Sequence, residues 1–215
     1  YLLWMFLFLT TTGAFSQKSS SLEKVQRFAN ANLGKLGLGA NDVQNLTVTH
    51  EYMDASTGIE HIYATQKING LTVTGSNLSL HSKGVKVFES NNLIPTTSYS
   101  VKPLSTAITS LQAVQVLMNE LITSAAFTPS IKQAASGTDQ VTIYKRSASP
   151  VFDIPARLVY YNNERLKTLQ PAWEVQMMEP GKKHFWLAYI DAGNGRMLEK
   201  RDLVLNCDFG GGATD

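Results

Sequence analysis

Gly58 to Pro95 reads GIEHIYATQKINGLTVTGSNLSLHSKGVKVFESNNLIP. Ile59 to Ile68 alternates apolar and polar residues, the two-residue period of a strand with one covered face. Asn69-Gly70 follows at once, and both residues tolerate the positive φ that a two-residue hairpin turn demands. Leu71 to Thr74 is then a short return strand and Asn77 to His81 another. Lys83-Gly84 turns the chain, and Val85, Val87 and Phe88 begin the next strand. Just upstream, Leu46 to Met53 alternates as well, with Leu46, Val48, His50 and Tyr52 expected on one face, and Ser56-Thr57-Gly58 closes that pair. The stretch from Leu46 to Ser90 therefore predicts antiparallel strands joined by tight turns.

Outward from this centre the pattern changes. Ser20-x-x-Glu23 is a capping box, followed by Leu22, Val25, Phe28 and Ala29 at helical spacing, with Gly34 as the expected stop. Leu33 to Asn45 reads as a loop with about one turn of helix. On the other side, Asn91 to Pro103 is irregular. Ser105 is expected to open a second helix carrying Ile108, Leu111, Val114, Met118 and Leu121 on one face. Ala125 to Gln140 is small and polar, the best candidate for a mobile boundary. Val141–Tyr144, Leu158–Tyr161, Ala172–Met177 and Phe185–Ile190 read as strands. Asp191 to Gly195 is a turn and Arg196 to Leu203 a last strand. Helix, strands, helix, strands implies an α+β fold with antiparallel sheets, each packed with a helix. Trp173 and Trp186 fall in alternating strands and are expected as core anchors.

With 215 residues, 43% hydrophobic and 17% charged, the chain can bury a core. A net charge of +2 with scattered basic residues gives no footprint for nucleic acid. Tyr1 to Leu9 is continuously apolar, and Ala14 and Ser16 are small at the spacing of a signal-peptidase site. This predicts a signal peptide over 1–16, cleaved after Ser16, and export to the extracellular space. The run is well short of the roughly 20 apolar residues that span a bilayer. No later stretch is apolar enough to do so, so no membrane association is expected once the leader is gone. The missing initiator methionine and basic n-region, with the glycine-rich ending, suggest a fragment of a longer precursor.

A hydrolytic site is not visible. A zinc protease needs two histidines one helical turn apart with a glutamate between them, as in His-Glu-x-x-His. Of the four histidines, His50, His61, His81 and His184, none is followed by another four residues on. His50-Glu51-Tyr52-Met53-Asp54 comes nearest, but lies in a strand, where residues four apart are about 13 Å apart. This chain is therefore not expected to be an enzyme or to hold a cofactor. Cys207, the single cysteine, can form no internal disulfide. A thiolate there could instead cap the open zinc position of a protease, a possible switch.

The ordered set His61, Tyr63, Gln66, Asn69, Gly70, Val73, Gly75, His81, Gly84, Val85, Val87 and Pro95 resembles the fungalysin/thermolysin propeptide motif. Pro171-Ala172-Trp173-Glu174-Val175, Phe185 to Ala192 and Gly195-Arg196-Met197-Leu198 resemble the PepSY-type part of the same propeptides. The resemblance extends over about residues 19 to 205 and leans to the fungalysin side. It implies a propeptide in two similar halves, 17–103 and 104–205, with 206–215 leading into a zinc-bearing metalloprotease domain. That catalytic domain is the implied partner, inhibited and helped to fold in cis, and zinc would belong to it. Candidate interface residues are His61, Tyr63, Asn69, Gly70, Gly75 and His81, against the plainer alternative that the two histidines are half-buried and satisfied by neighbours. A free-standing secreted inhibitor or binding module of the same fold is the competing reading.

Overall fold

In a computed structural model, residues 20–121, 129–146, 149–179 and 184–204 are described. The signal segment expected over 1–16, the tail 206–215 and Cys207 lie outside the described residues. Helix α1 (Ser21–Ala31) begins where its capping box demands. Ser20 Oγ accepts from the Glu23 N–H at 3.2 Å, and the Glu23 carboxylate accepts from the Ser20 N–H at 3.0 Å. Val25 and Ala29, a turn apart, are fully buried. The helix stops at Asn32, whose side chain donates to the Phe28 carbonyl. Gly34, the expected stop, lies inside a second turn, α2 (Leu33–Leu36), which Gly37 closes at φ 68°. With α3 (Ala40–Val43), the segment holds two short helices.

The central stretch folds as β1 (Leu46–Asp54), β2 (Ile59–Ile68), β3 (Leu71–Thr72), β4 (Leu78–Lys83) and β5 (Lys86–Asn91). They form one sheet in the order β1-β2-β4-β5, with β3 beside the end of β2, every pairing antiparallel. Asn69 and Gly70 take φ of 49° and 80°, the double positive φ that this turn requires. One expectation fails in β1. A bulge at Thr49 sets Val48 opposite Ala64 but His50 opposite Tyr63. Each residue beyond the bulge changes face. Leu46 and Val48 join the core, while His50 and Tyr52 point away from it. That core packs Val25, Ala29, Val43, Ile62, Leu78 and Leu80 between helices and sheet. Each buried aliphatic side chain contributes about 1.5–3 kcal/mol.

The second sheet contains β6 (Ser100–Val101), β7 (Ser130–Ser136), β8 (Val141–Arg146), β9 (Ser149–Asn163), β10 (Thr168–Met178), β11 (Phe185–Asp191) and β12 (Met197–Asp202). Its order is β12-β11-β10-β9-β8-β7, with β6 running parallel to the start of β10. Helix α4 (Ser110–Leu121) crosses it, burying Ala113, Val114, Leu117 and Met118. The helix starts five residues later than expected. The N–H groups of Ala107 and Ile108 both bond to the Ala192 carbonyl, which pins Ser105–Ile108 outside the helix. Thr109 then caps it, its hydroxyl accepting from the Gln112 N–H and Gln112 Oε1 from the Thr109 N–H. Ala125–Gln140 also departs from expectation: its described part is β7 and the turn Gly137–Gln140, the first arm of a hairpin with β8.

The two sheets meet. Val73 and Tyr160 form a backbone bridge, with the Thr74 N–H donating to the Tyr160 carbonyl at 2.9 Å. Val73, Ile94, Tyr160 and Leu169 form one buried cluster there, with Ile68, Leu71 and Tyr99 around it. The α+β expectation agrees with this architecture of two mostly antiparallel sheets and few helices. No helix among the described residues is long and apolar enough to cross a membrane.

Candidate functional site

The residues singled out by sequence separate into two places. Asn69, Gly70, Val73 and Gly75 lie at the end of the first sheet that meets the second. His61, Tyr63 and His81 lie on its outer face, away from α1.

At the meeting end the turn residues shape the chain for contact. Asn69 Nδ2 donates to the Tyr160 hydroxyl at 3.0 Å, and that hydroxyl donates to the Lys102 carbonyl at 3.2 Å. Gly75, at φ 76°, lets the chain leave Val73 so that the Ser76 hydroxyl donates back to the Val73 carbonyl at 2.7 Å. Gln66 is buried and fully used: Nε2 donates to the carbonyls of Asp42 and Ile94, and Oε1 accepts from the Ile94 N–H. It ties the helical segment, the sheet and the connection toward β6 together.

Beside this lies a chain of charges that sequence reasoning missed. Lys67 reaches Asp139 at 3.2 Å, Asp139 reaches Arg157 at 3.1 Å, and Arg157 Nε donates to Glu174 at 2.8 Å. Thr72 Oγ1 also donates to Asp139. Burial alone would raise the Asp139 carboxyl, but Lys67 and Arg157 outweigh it and hold it below the usual carboxylate range. Burial likewise opposes the charge on Arg157, yet the bond to Glu174 and the charge of Asp139 raise it above its ordinary value. These groups border a polar cleft of about 500 Å³ between the sheets, with Thr74 and Asn77 on its first-sheet side. The only hint in the sequence was an acidic residue in a Gly-Thr-Asp turn, and it names no partner.

The outer face is a row across all four long strands. Tyr52 on β1 pairs in register with His61 on β2, His61 with His81 on β4, and His81 with Phe88 on β5. His61 Nδ1 and His81 Nδ1 are 2.7 Å apart, so one ring donates and the other accepts. Tyr52 stacks on His61 at 4.6 Å between centroids, and Tyr63 meets His81 edge-on at 5.8 Å. The histidines are thus half-buried and satisfied by each other. Tyr52 is 53% exposed and Phe88 68%. Val85, wholly exposed at the β4–β5 turn, extends the apolar surface at the same end.

Of the two tryptophans, Trp173 anchors a core as expected: it packs against the α4 cluster and donates to the Ile108 carbonyl at 3.0 Å. Trp186 does not. It sits near the sheet's edge between His184 and Lys200, with no hydrogen-bond partner for its indole N–H. His184 contacts Asp202 at 2.5 Å and lies 3.8 Å from Glu179. Among the described residues no three of His, Cys, Asp and Glu converge as metal ligands.

Residues 44–92 match the profile of the Fungalysin/Thermolysin Propeptide Motif. The match begins just before β1 and ends just after β5, so it covers the whole first sheet. No curated protein matches the chain.

Proposed function

We propose that this chain is the propeptide region of a secreted zinc metalloprotease of the fungalysin type, acting in cis as inhibitor and folding chaperone of the catalytic domain. The observation that supports this reading is the propeptide-motif match, which coincides with one folded sheet rather than with a scatter of turns. The second sheet is taken as the PepSY-like part on the strength of its Pro171–Val175, Phe185–Ala192 and Gly195–Leu198 patterns.

The physics of such a role is simple. A tethered domain meets its target at an effective concentration on the order of millimolar, so modest intrinsic affinity keeps an enzyme closed. Binding only the folded catalytic domain also shifts that domain's folding equilibrium, which is a chaperone effect. Cleavage of the tether ends both. Zinc and its ligands would reside in the catalytic domain, where the metal activates water for peptide hydrolysis. The present chain contributes surface. Its two exposed resources are the aromatic and histidine row and the polar cleft beside Asp139.

Two measurements test the reading. The purified chain is expected to inhibit a mature fungalysin-type metalloprotease saturably at micromolar concentration. Full protease activity at a large excess of the chain would overturn the inhibitory role. Sequencing the transcript beyond Asp215 is expected to reveal His-Glu-x-x-His, and a stop codon instead would replace the precursor with a free-standing inhibitor.

A further inference from the structure

We propose that His61 and His81 form a bidentate imidazole site for a borderline divalent transition metal, Zn²⁺, Ni²⁺ or Cu²⁺, on the outer face of the first sheet. The geometry is that of a chelate. The two residues face each other directly across β2 and β4, and their Nδ1 atoms converge to 2.7 Å. Two nitrogens bound at 2.0–2.1 Å to one metal, at the 90–110° angles of ordinary coordination, lie about 2.9–3.4 Å apart. The rings need to part by only a few tenths of an ångström. They cross at 67°, and both have aromatic neighbours: Tyr52 on β1 stacks on His61, and Tyr63, on the same strand as His61, meets His81 in an edge-to-face contact. Contacts of this kind lower the ordering cost of binding.

The surroundings select the ligand class. Two imidazoles suit Zn²⁺, Ni²⁺ and Cu²⁺, whereas Ca²⁺ and Mg²⁺ want oxygen donors. By register the same face also carries His50 and Asp54 on β1, Lys83 on β4 and Lys86 on β5. Asp54 is engaged in its own turn by Ser56 and Thr57. Glu60 and Ser82 pair with each other on the other face of the sheet, where Lys24 joins Glu60. Since no third protein ligand converges among the described residues, water would complete the coordination shell. For both Nδ1 lone pairs to face the metal, the ring that donates in the Nδ1–Nδ1 contact must carry its proton on Nε2 instead, a change of tautomer with no net loss of a proton. The two imidazoles would hold the metal whether or not the chain is a propeptide.

The test is titration of the full chain with ZnCl₂, NiCl₂ and CuCl₂ at neutral pH by calorimetry. One saturable equivalent is expected, tighter for Cu²⁺ than for Ni²⁺ or Zn²⁺ where all three are compared. His61→Gln and His81→Gln should each weaken it by about tenfold or more, since even outer contacts of a metal ligand carry that much. His50→Gln, His184→Gln and Cys207→Ser should leave it unchanged. Thermal melts establish that each variant is folded. On the unaltered chain, nitrogen–proton correlation spectra should show two imidazole ring systems shifting together. Equal binding by the His61→Gln and His81→Gln proteins, loss of binding in His184→Gln or Cys207→Ser, or no saturable binding at all would overturn the assignment.

Discussion

Both sheets have one face covered by helix, but they treat the opposite face in contrary ways. In the second sheet much of it is buried. Val159 and Ala172 are fully buried there, Tyr189 is nearly so, and Tyr161 packs against it at 4.9 Å between ring centroids. Glu199 accepts from the Tyr161 hydroxyl at 2.8 Å, and Arg201 lies over the Tyr189 ring. Burial, then Glu199, pushes the Tyr161 phenol up to about 12. In the first sheet the corresponding face stays open, and it displays Tyr52, His61, Tyr63, His81 and Phe88. Exposed aromatic surface costs solubility and is uncommon unless something uses it. The contrast teaches that the second sheet spends most of both faces on burial, whereas the first leaves one face and its aromatic row open to contact. Each prediction below would break or sharpen that division.

The largest effects should come from the two cores. Leu117→Ala on the inner face of α4 and Leu78→Ala in β4 beneath α1 each remove a fully buried side chain, at a cost of about 2–5 kcal/mol. Because the Val73–Tyr160 cluster joins the sheets, both variants are expected to lower a single unfolding transition. Calorimetry and near-ultraviolet dichroism would check this. Two separate transitions would mean that the sheets are independent modules and that the junction is weak.

The charge chain at the junction comes next. Arg157→Ala leaves Glu174, only 8% exposed, without its cationic partner. An expected loss of about 2 kcal/mol follows, read from urea midpoints. The pH dependence has a definite sign. Asp139 titrates lower folded than unfolded, so its contribution is present above about pH 4, the range of a free carboxylate, and is lost as pH falls through the folded value. The stability gap between the unaltered chain and Asp139→Asn should therefore be full at pH 6 and shrink below about pH 4. A gap independent of pH would remove Asp139 from the junction.

Much of this was legible from local chemistry, and the misses share a cause. The capping box at Ser20, the Asn69-Gly70 turn and the full length of β2 are decided by adjacent residues, so the sequence displays them. The bulge at Thr49 is invisible because alternation continues through it in the letters, while pairing with Tyr63 and Ala64 decides the face. Helix α4 starts late because the distant Ala192 carbonyl captures two N–H groups. Strand β9 extends well beyond Leu158–Tyr161 because β8 and β10 hydrogen-bond along it, overriding the discouragement of Pro155. At the site, His61 and His81 were named individually, but their contact depends on register. Asp139 and Arg157 were not named at all, since a surface acid and a strand arginine become a pair only in three dimensions.

Smaller in energy is the helix cap. Ser20→Ala should cost about 1 kcal/mol and shift the first sheet's protection from amide exchange more than the second's, since α1 packs only on the former. Equal shifts in both sheets would again argue that the junction couples them tightly.

The smallest stability effect is the most telling about function. Phe88 and Val85 touch solvent over most of their surface. Replacing both by serine should change stability by no more than about 0.5 kcal/mol. If the open face is the presented one, the same double variant should inhibit a fungalysin-type protease at least about tenfold less well, because exposed aromatic anchors carry a disproportionate share of binding energy. Unchanged inhibition with unchanged stability would move the contact surface elsewhere. The Asp139 cleft would then be the next candidate, a concave, polar feature bordered by the matched sheet. Arg157→Ala would separate the two explanations: it should alter inhibition only if the cleft, or the mutual placement of the sheets, is what the protease reads.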